Sequence, residues 1–136
     1  MNQLTLEKMK SYAPVVLRIG LALVILWFGS QQLLDASAWS GLIPQMATSL
    51  SGLDATTLVY FNGAFEVVFG LCLLAGFFTH IVSLLLALHM LLITVTVGYN
   101  AIGVRDFGLA MAAISSFLHG EDTLSLDRYL AERTNN

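Results

Sequence analysis

Four charged side chains interrupt stretches that are otherwise almost wholly apolar. They are Arg18 in LRIGLALVILWFG, Glu66 in FNGAFEVVFG, and the adjacent Arg105 and Asp106 in GVRDFGLAM. A charge in a membrane-spanning helix costs about 2.5–3.5 kcal/mol on insertion scales, so it normally faces a partner or water. These four formal charges sum to zero, as a paired buried cluster requires. Asn62 stands one helical turn before Glu66, and His89 lies in the middle of the next apolar run. Together they offer a carboxyl, an imidazole, an amide and a guanidinium: groups that can bind a polar head or hold a proton.

Helical spacing gives each residue a face. Arg18, Ala22, Ile25, Gly29 and Gln32 form one stripe, and Asn62, Glu66 and Gly70 a second. Arg105, Gly108, Ala112, Ser115 and His119 form a third. Small residues let membrane helices approach closely, so these stripes are expected to face inward, with the Leu- and Phe-rich sides toward lipid. Glu66 sits roughly 14 Å into its helix. Arg105 is its expected partner, with Arg18 as the alternative. Asp106 points about 100° away from Arg105 on a helix. It is expected to hold the GYNAIG turn through Tyr99, Asn100 or free backbone N–H groups, where the helix dipole favours an anion. An equally simple account is that the polar cluster only ties helices together.

These residues need elements to position them. A spanning helix takes about 20 mostly apolar residues. Residues 13–34, 57–78, 80–98 and 104–119 supply four such runs, the last of them short, and Asp54 is a natural cap for the second. The connection from Asp35 to Thr56 carries Trp39, Leu42, Ile43, Pro44, Met46 and Leu50, and reads as a partly helical segment at the interface with Trp39 as an anchor. Residues 126–133 read as a short surface helix capped by Ser125. The expected fold is all-α: one domain over residues 1–136, an integral membrane antiparallel four-helix bundle with short interfacial segments.

Composition agrees. Hydrophobic residues make up 57% and charged residues 11%, against about 25% charged in ordinary soluble domains. No basic stripe supports nucleic-acid binding. The lone cysteine, Cys72, excludes an intrachain disulfide, a CxxC pair and an all-cysteine metal site. No metal-ligand spacing, phosphate loop or nucleophile–base pair occurs, so no self-contained active site can be read. His80 and His119 lie at helix ends, which argues against two-histidine haem ligation. Ala36-Ser37-Ala38 resembles a signal-peptide cleavage site, but the preceding apolar run is longer than a secretory h-region of about 7–15 residues, so it reads as a retained helix. Lys8 and Lys10 precede the first run, Arg128 and Arg133 lie in the tail, and the first loop has no Lys or Arg. The positive-inside rule then puts both termini in the cytoplasm of a multi-pass protein of the cytoplasmic (inner) membrane.

The chain resembles the DoxX family of small four-helix membrane proteins. The resemblance rests on LRIGLALVILWFG, FNGAFEVVFGLCLLAGFFTHIVSLLLALHML, VGYNAIGVRDFGLAMA and LSLDRYL, and so extends over nearly the whole chain. Many relatives have a lysine in the segment matching GSQQLL, where Gln31 and Gln32 stand here. The resemblance implies a four-helix membrane bundle. The family takes its name from the small subunit of a thiosulfate:quinone oxidoreductase, and some relatives are linked to thiol redox and oxidative stress. It therefore implies an accessory or quinone-linked subunit of a membrane oxidoreductase, with quinone as the cofactor to consider. The partners it brings are the lipid bilayer, a protein carrying the redox centre, and further copies of the chain in a homo-oligomer. The competing readings are a non-catalytic scaffold or assembly factor, and a pathway for protons or small solutes.

Overall fold

The computed structural model describes residues 2–134. Four helices among them are long and apolar enough to cross a membrane: α1 (Gln3–Leu34), α4 (Ala55–Ala75), α5 (Thr79–Val97) and α6 (Ala101–His119). Between α1 and α4 run two short helices, α2 (Ala36–Trp39) and α3 (Gln45–Ser51), linked by a 3-10 turn at Ser40–Leu42. The chain ends in α7 (Leu126–Thr134). This is an all-α membrane bundle, with the first connection partly helical as its composition suggested.

The helices are associated as two close pairs, α1 with α4 and α5 with α6. In the first pair the backbones nearly touch. A Cβ on Gly63 would lie 2.9 Å from both Gln32 Cβ and Gly29 O, and one on Gly29 would lie 2.8 Å from Glu66 Cβ. Only glycine allows this approach, which is what small residues contribute where lipid supplies no hydrophobic drive for helix association. In the second pair, Ser83 Oγ donates to Ser116 Oγ across a buried contact at 3.1 Å. An apolar layer of Leu21, Ile25, Leu73, Leu86 and Met90 joins the two pairs.

Caps set the helix bounds. Asp54 accepts from Thr57 N–H at the start of α4, and Asp35 from Ala38 N–H at the start of α2. Both caps hold their carboxyls below the usual range; hydrogen bonds from the Ser37 hydroxyl to Asp35 and from the Thr57 hydroxyl to Asp54 are the chief cause. Asn100 caps α6 through Ile102 and Gly103 N–H. That cap starts α6 three residues before Val104, the expected first residue, so Arg105 and Asp106 lie a full turn inside the helix. α1 continues through Pro14 into an exposed N-terminal extension, well before the expected start at Ala13.

Candidate functional site

On the side of the first loop, the two helix pairs part around an open cavity of about 680 Å³, counting its mouth. Its walls are mostly apolar, including Ile25, Val59, Met90, Ile93 and Leu109. Trp39, Leu42, Ile43 and Pro44 of the first connection close over it. Trp39 lies edge-on to Phe28 with centroids 5.9 Å apart and forms part of the cavity wall.

Two polar groups face each other in this cavity. The first is a closed triad. Glu66 is 3% exposed. Its Oε2 accepts from Gln32 Nε2 at 2.7 Å and its Oε1 from Asn62 Nδ2 at 3.0 Å. Asn62 Nδ2 also donates to Gln32 Oε1 at 2.6 Å. The Gly29–Gly63 approach puts Gln32 in reach of Glu66, so helix packing and carboxyl solvation are one event here. His89 sits behind this triad, outside the cavity wall. Its ring stacks on Phe65 at 4.4 Å, and its Nε2 stands 3.7 Å from Glu66 Oε1, beyond hydrogen-bond length and without a partner.

The second group is Arg105 with Asp106. Arg105 Nε donates to Asp106 Oδ1 at 2.7 Å, and its guanidinium lies 4.0 Å over the Phe28 ring. This corrects the expectation that Arg105 turns to Glu66: among the described residues no hydrogen bond or ion pair joins them. The two Cα–Cβ bonds do diverge around the helix, but the long arginine stem folds back on its neighbour. Asp106 does not hold the GYNAIG turn either. Asn100 caps that turn itself, while Asp106 is 1% exposed at the cavity wall with Oδ2 unpaired. Tyr99 is fully exposed, and neither it nor Asn100 lines the cavity.

Arg18 belongs to a different place. It is 2% exposed at the opposite end of the bundle. Its Nε donates to Asp122 Oδ2 at 2.6 Å and its Nη2 to Oδ1 at 3.2 Å. Its Nη1 donates to the carbonyls of Leu73 and Leu74 at 2.8 and 2.6 Å. Those carbonyls sit at the C-terminus of α4, where the helix dipole favours a cation. Burial alone would raise the Asp122 carboxyl; hydrogen bonds from the Arg18 guanidinium and Leu124 N–H outweigh it and hold the group below its ordinary 3.8. Asp127 completes the junction. Its carboxylate accepts from Phe78 and Thr79 N–H at 2.8 and 2.7 Å, capping α5 from the tail, and its own N–H donates to Gly76 O. The sequence reading missed Asp122 and Asp127 because they act across more than forty residues, where no local spacing reveals them. Gln32 was legible: it lies on the stripe of Arg18 and Gly29.

A membrane-embedded four-helix bundle with a mostly apolar cavity, into which a few polar groups converge, defines the class of protein. The DoxX family model matches residues 13–99, and the chain belongs to that family. No curated protein and no solved structure matches it. The match takes in α1 from Ala13 onward, α4, α5 and the Gln32–Asn62–Glu66 triad, and stops short of Arg105, Asp106 and the tail.

Proposed function

We propose that the cavity holds a small lipophilic molecule of the quinone class, and that the chain is an accessory, membrane-embedded subunit of an oxidoreductase or thiol-redox system. The observation that carries this reading is the cavity itself. Its apolar walls suit a ring and its tail, and a few convergent polar groups, Gln32, Asn62, Glu66, Arg105 and Asp106, suit ring oxygens. A quinone bound there would supply two-electron redox chemistry; Gln32 and Asn62 would support the carboxyl beside it, and Arg105 would present N–H donors at the mouth. One cysteine cannot cycle between dithiol and disulfide within the chain, so electrons would come from a partner protein. We infer further that the side with the N-terminus and tail is cytoplasmic, because Lys8, Lys10, Arg128 and Arg133 lie there and the first loop carries no Lys or Arg.

The test is purification in mild detergent followed by solvent extraction, with quinone titration of the Trp27→Phe variant, in which Trp39 at the cavity is the remaining fluorophore. Co-purified quinone, or saturable quenching, supports the reading. Its loss together with a stably co-purifying partner favours the scaffold reading, which the self-satisfied Gln32–Asn62–Glu66 and Arg18–Asp122 groups also support. A through-going pathway is disfavoured by the apolar layer of Leu21, Ile25, Leu73 and Leu86 below the cavity.

A further inference from the structure

We propose that the cavity selects a neutral apolar molecule bearing a hydroxyl group, which for a quinone-class ligand means the reduced quinol rather than the quinone. This rests on the reading that the cavity holds such a ligand, and it follows from how the polar wall is satisfied. Both oxygens of Glu66 already accept a hydrogen bond, from Gln32 and Asn62. Asp106 is different: Oδ1 is taken by Arg105 Nε, while Oδ2 is buried at the same wall and accepts from nothing among the described residues. A buried carboxylate oxygen without a donor leaves its desolvation unrepaid. A carbonyl cannot relieve that cost, because it only accepts. A hydroxyl can, once a small rotation of the carboxyl bares the buried Oδ2 to the cavity that Asp106 lines: its O–H donates to Oδ2, and its oxygen accepts from the terminal N–H groups of the neighbouring Arg105, whose side chain is one-third exposed at the mouth. An ammonium group would donate as well, but it would stand against the Arg105 guanidinium. A neutral hydroxyl is the group that matches both sides of the pair.

The experiment compares four probes on immobilised, detergent-solubilised protein under anaerobic, reducing or oxidising conditions as each requires. They are a short-chain benzoquinol, the matching benzoquinone, the dimethyl ether of the quinol, and a medium-chain diacylglycerol. Retained probe is extracted and quantified by chromatography. The quinol is expected to bind on the order of tenfold tighter than the quinone and the dimethyl ether, the effect of one satisfied buried acceptor. In Asp106→Asn, with the amide oxygen kept toward Arg105, an NH₂ donor replaces Oδ2, so the preference should move to the quinone. If Asp106→Asn does not fold, the wild-type comparison of quinol with its own dimethyl ether decides. Quinone binding equal to or tighter than quinol in the wild type overturns the inference, with water then serving Oδ2, while the quinone-class reading stands. Retention of the diacylglycerol but not the quinol keeps hydroxyl selectivity and overturns the quinone class. Retention of no probe overturns both.

Discussion

Glu66 shows how a carboxyl is kept inside a bundle by neutral donors. Gln32 and Asn62 each spend an amide on it, and among the described residues no Lys or Arg pairs with it, while His89 Nε2 stands 3.7 Å from Oε1. Gln32→Ala should therefore cost about 1–3 kcal/mol in detergent unfolding, through the donor lost at Oε2. A double-mutant cycle of Gln32→Ala with Glu66→Gln should show coupling of about 0.5 kcal/mol or more. The cycle of Glu66→Gln with Arg105→Gln should be additive within about 0.5 kcal/mol, since they share no bond; strong coupling there would mean that the two side chains meet. Arg18 is the opposite case, a cation with a hydrogen bond from each of its three nitrogens. Arg18→Met leaves Asp122 buried alone and should cost about 3–5 kcal/mol, with Arg18→Met/Asp122→Leu costing less than the single changes summed. The Asp122 carboxyl is depressed on folding, so its contribution is complete above its unfolded value of 3.8 and disappears as pH falls through the lower folded value. Thermal unfolding of wild type and Asp122→Asn from pH 7 to 3 should show a constant gap down to about pH 4 that closes below it. A gap that closes between pH 7 and 5 would contradict the assignment.

At the scale of elements, α6 departs most from the sequence reading. Its buried face is Gly103, Asp106, Ala110, Ala113 and Ser116, while Gly108, Ser115 and His119 are exposed and Ala112 is half-buried. The expected stripe of Arg105, Gly108, Ala112, Ser115 and His119 is displaced around the helix by about 100°, the turn between successive residues. Both faces carry small residues, and in lipid an apolar side chain is at home on either, so the pattern alone does not choose. Ala113→Leu should overpack the α5–α6 contact and cost about 1–3 kcal/mol. Gly108→Leu should be close to neutral, because a Cβ there meets nothing within 4 Å. The reverse order would restore the displaced stripe. The α1–α4 pair is a stricter constraint. Gly63→Ala puts a methyl against Gly29 O and Gln32 Cβ, whereas Gly20→Ala meets nothing. Gly63→Ala is expected to lower detergent stability and, by spreading α1 from α4, to weaken quinol retention. Gly20→Ala should do neither.

For the whole molecule, two helix pairs close at the tail end and part at the first-loop end. Arg18, Asp122 and Asp127 tie α1, α4, α5 and α7 together on one side, and the cavity opens on the other. If the tail side is cytoplasmic, then in a Cys72→Ala background Ser51→Cys should label with a membrane-impermeant maleimide from the outer side, and Thr134→Cys should label only after the membrane is opened. The opposite pattern would invert the protein. The sequence by itself determined the four spans, the partly helical first connection, the tail helix and the inward faces of α1 and α4, because hydropathy, caps and glycine spacing are properties of contiguous residues. It also turned Glu66 inward, and that carboxyl is buried, whereas on α6 it is Asp106 and not Arg105 that the bundle buries. Only the tertiary structure decided the partners: Gln32 and Asn62 for Glu66, Asp106 and Phe28 for Arg105, Asp122 for Arg18. Pairing depends on the rotation and depth of each helix against its neighbours, and a rotation of one residue carries a side chain from one partner to another without changing any local pattern.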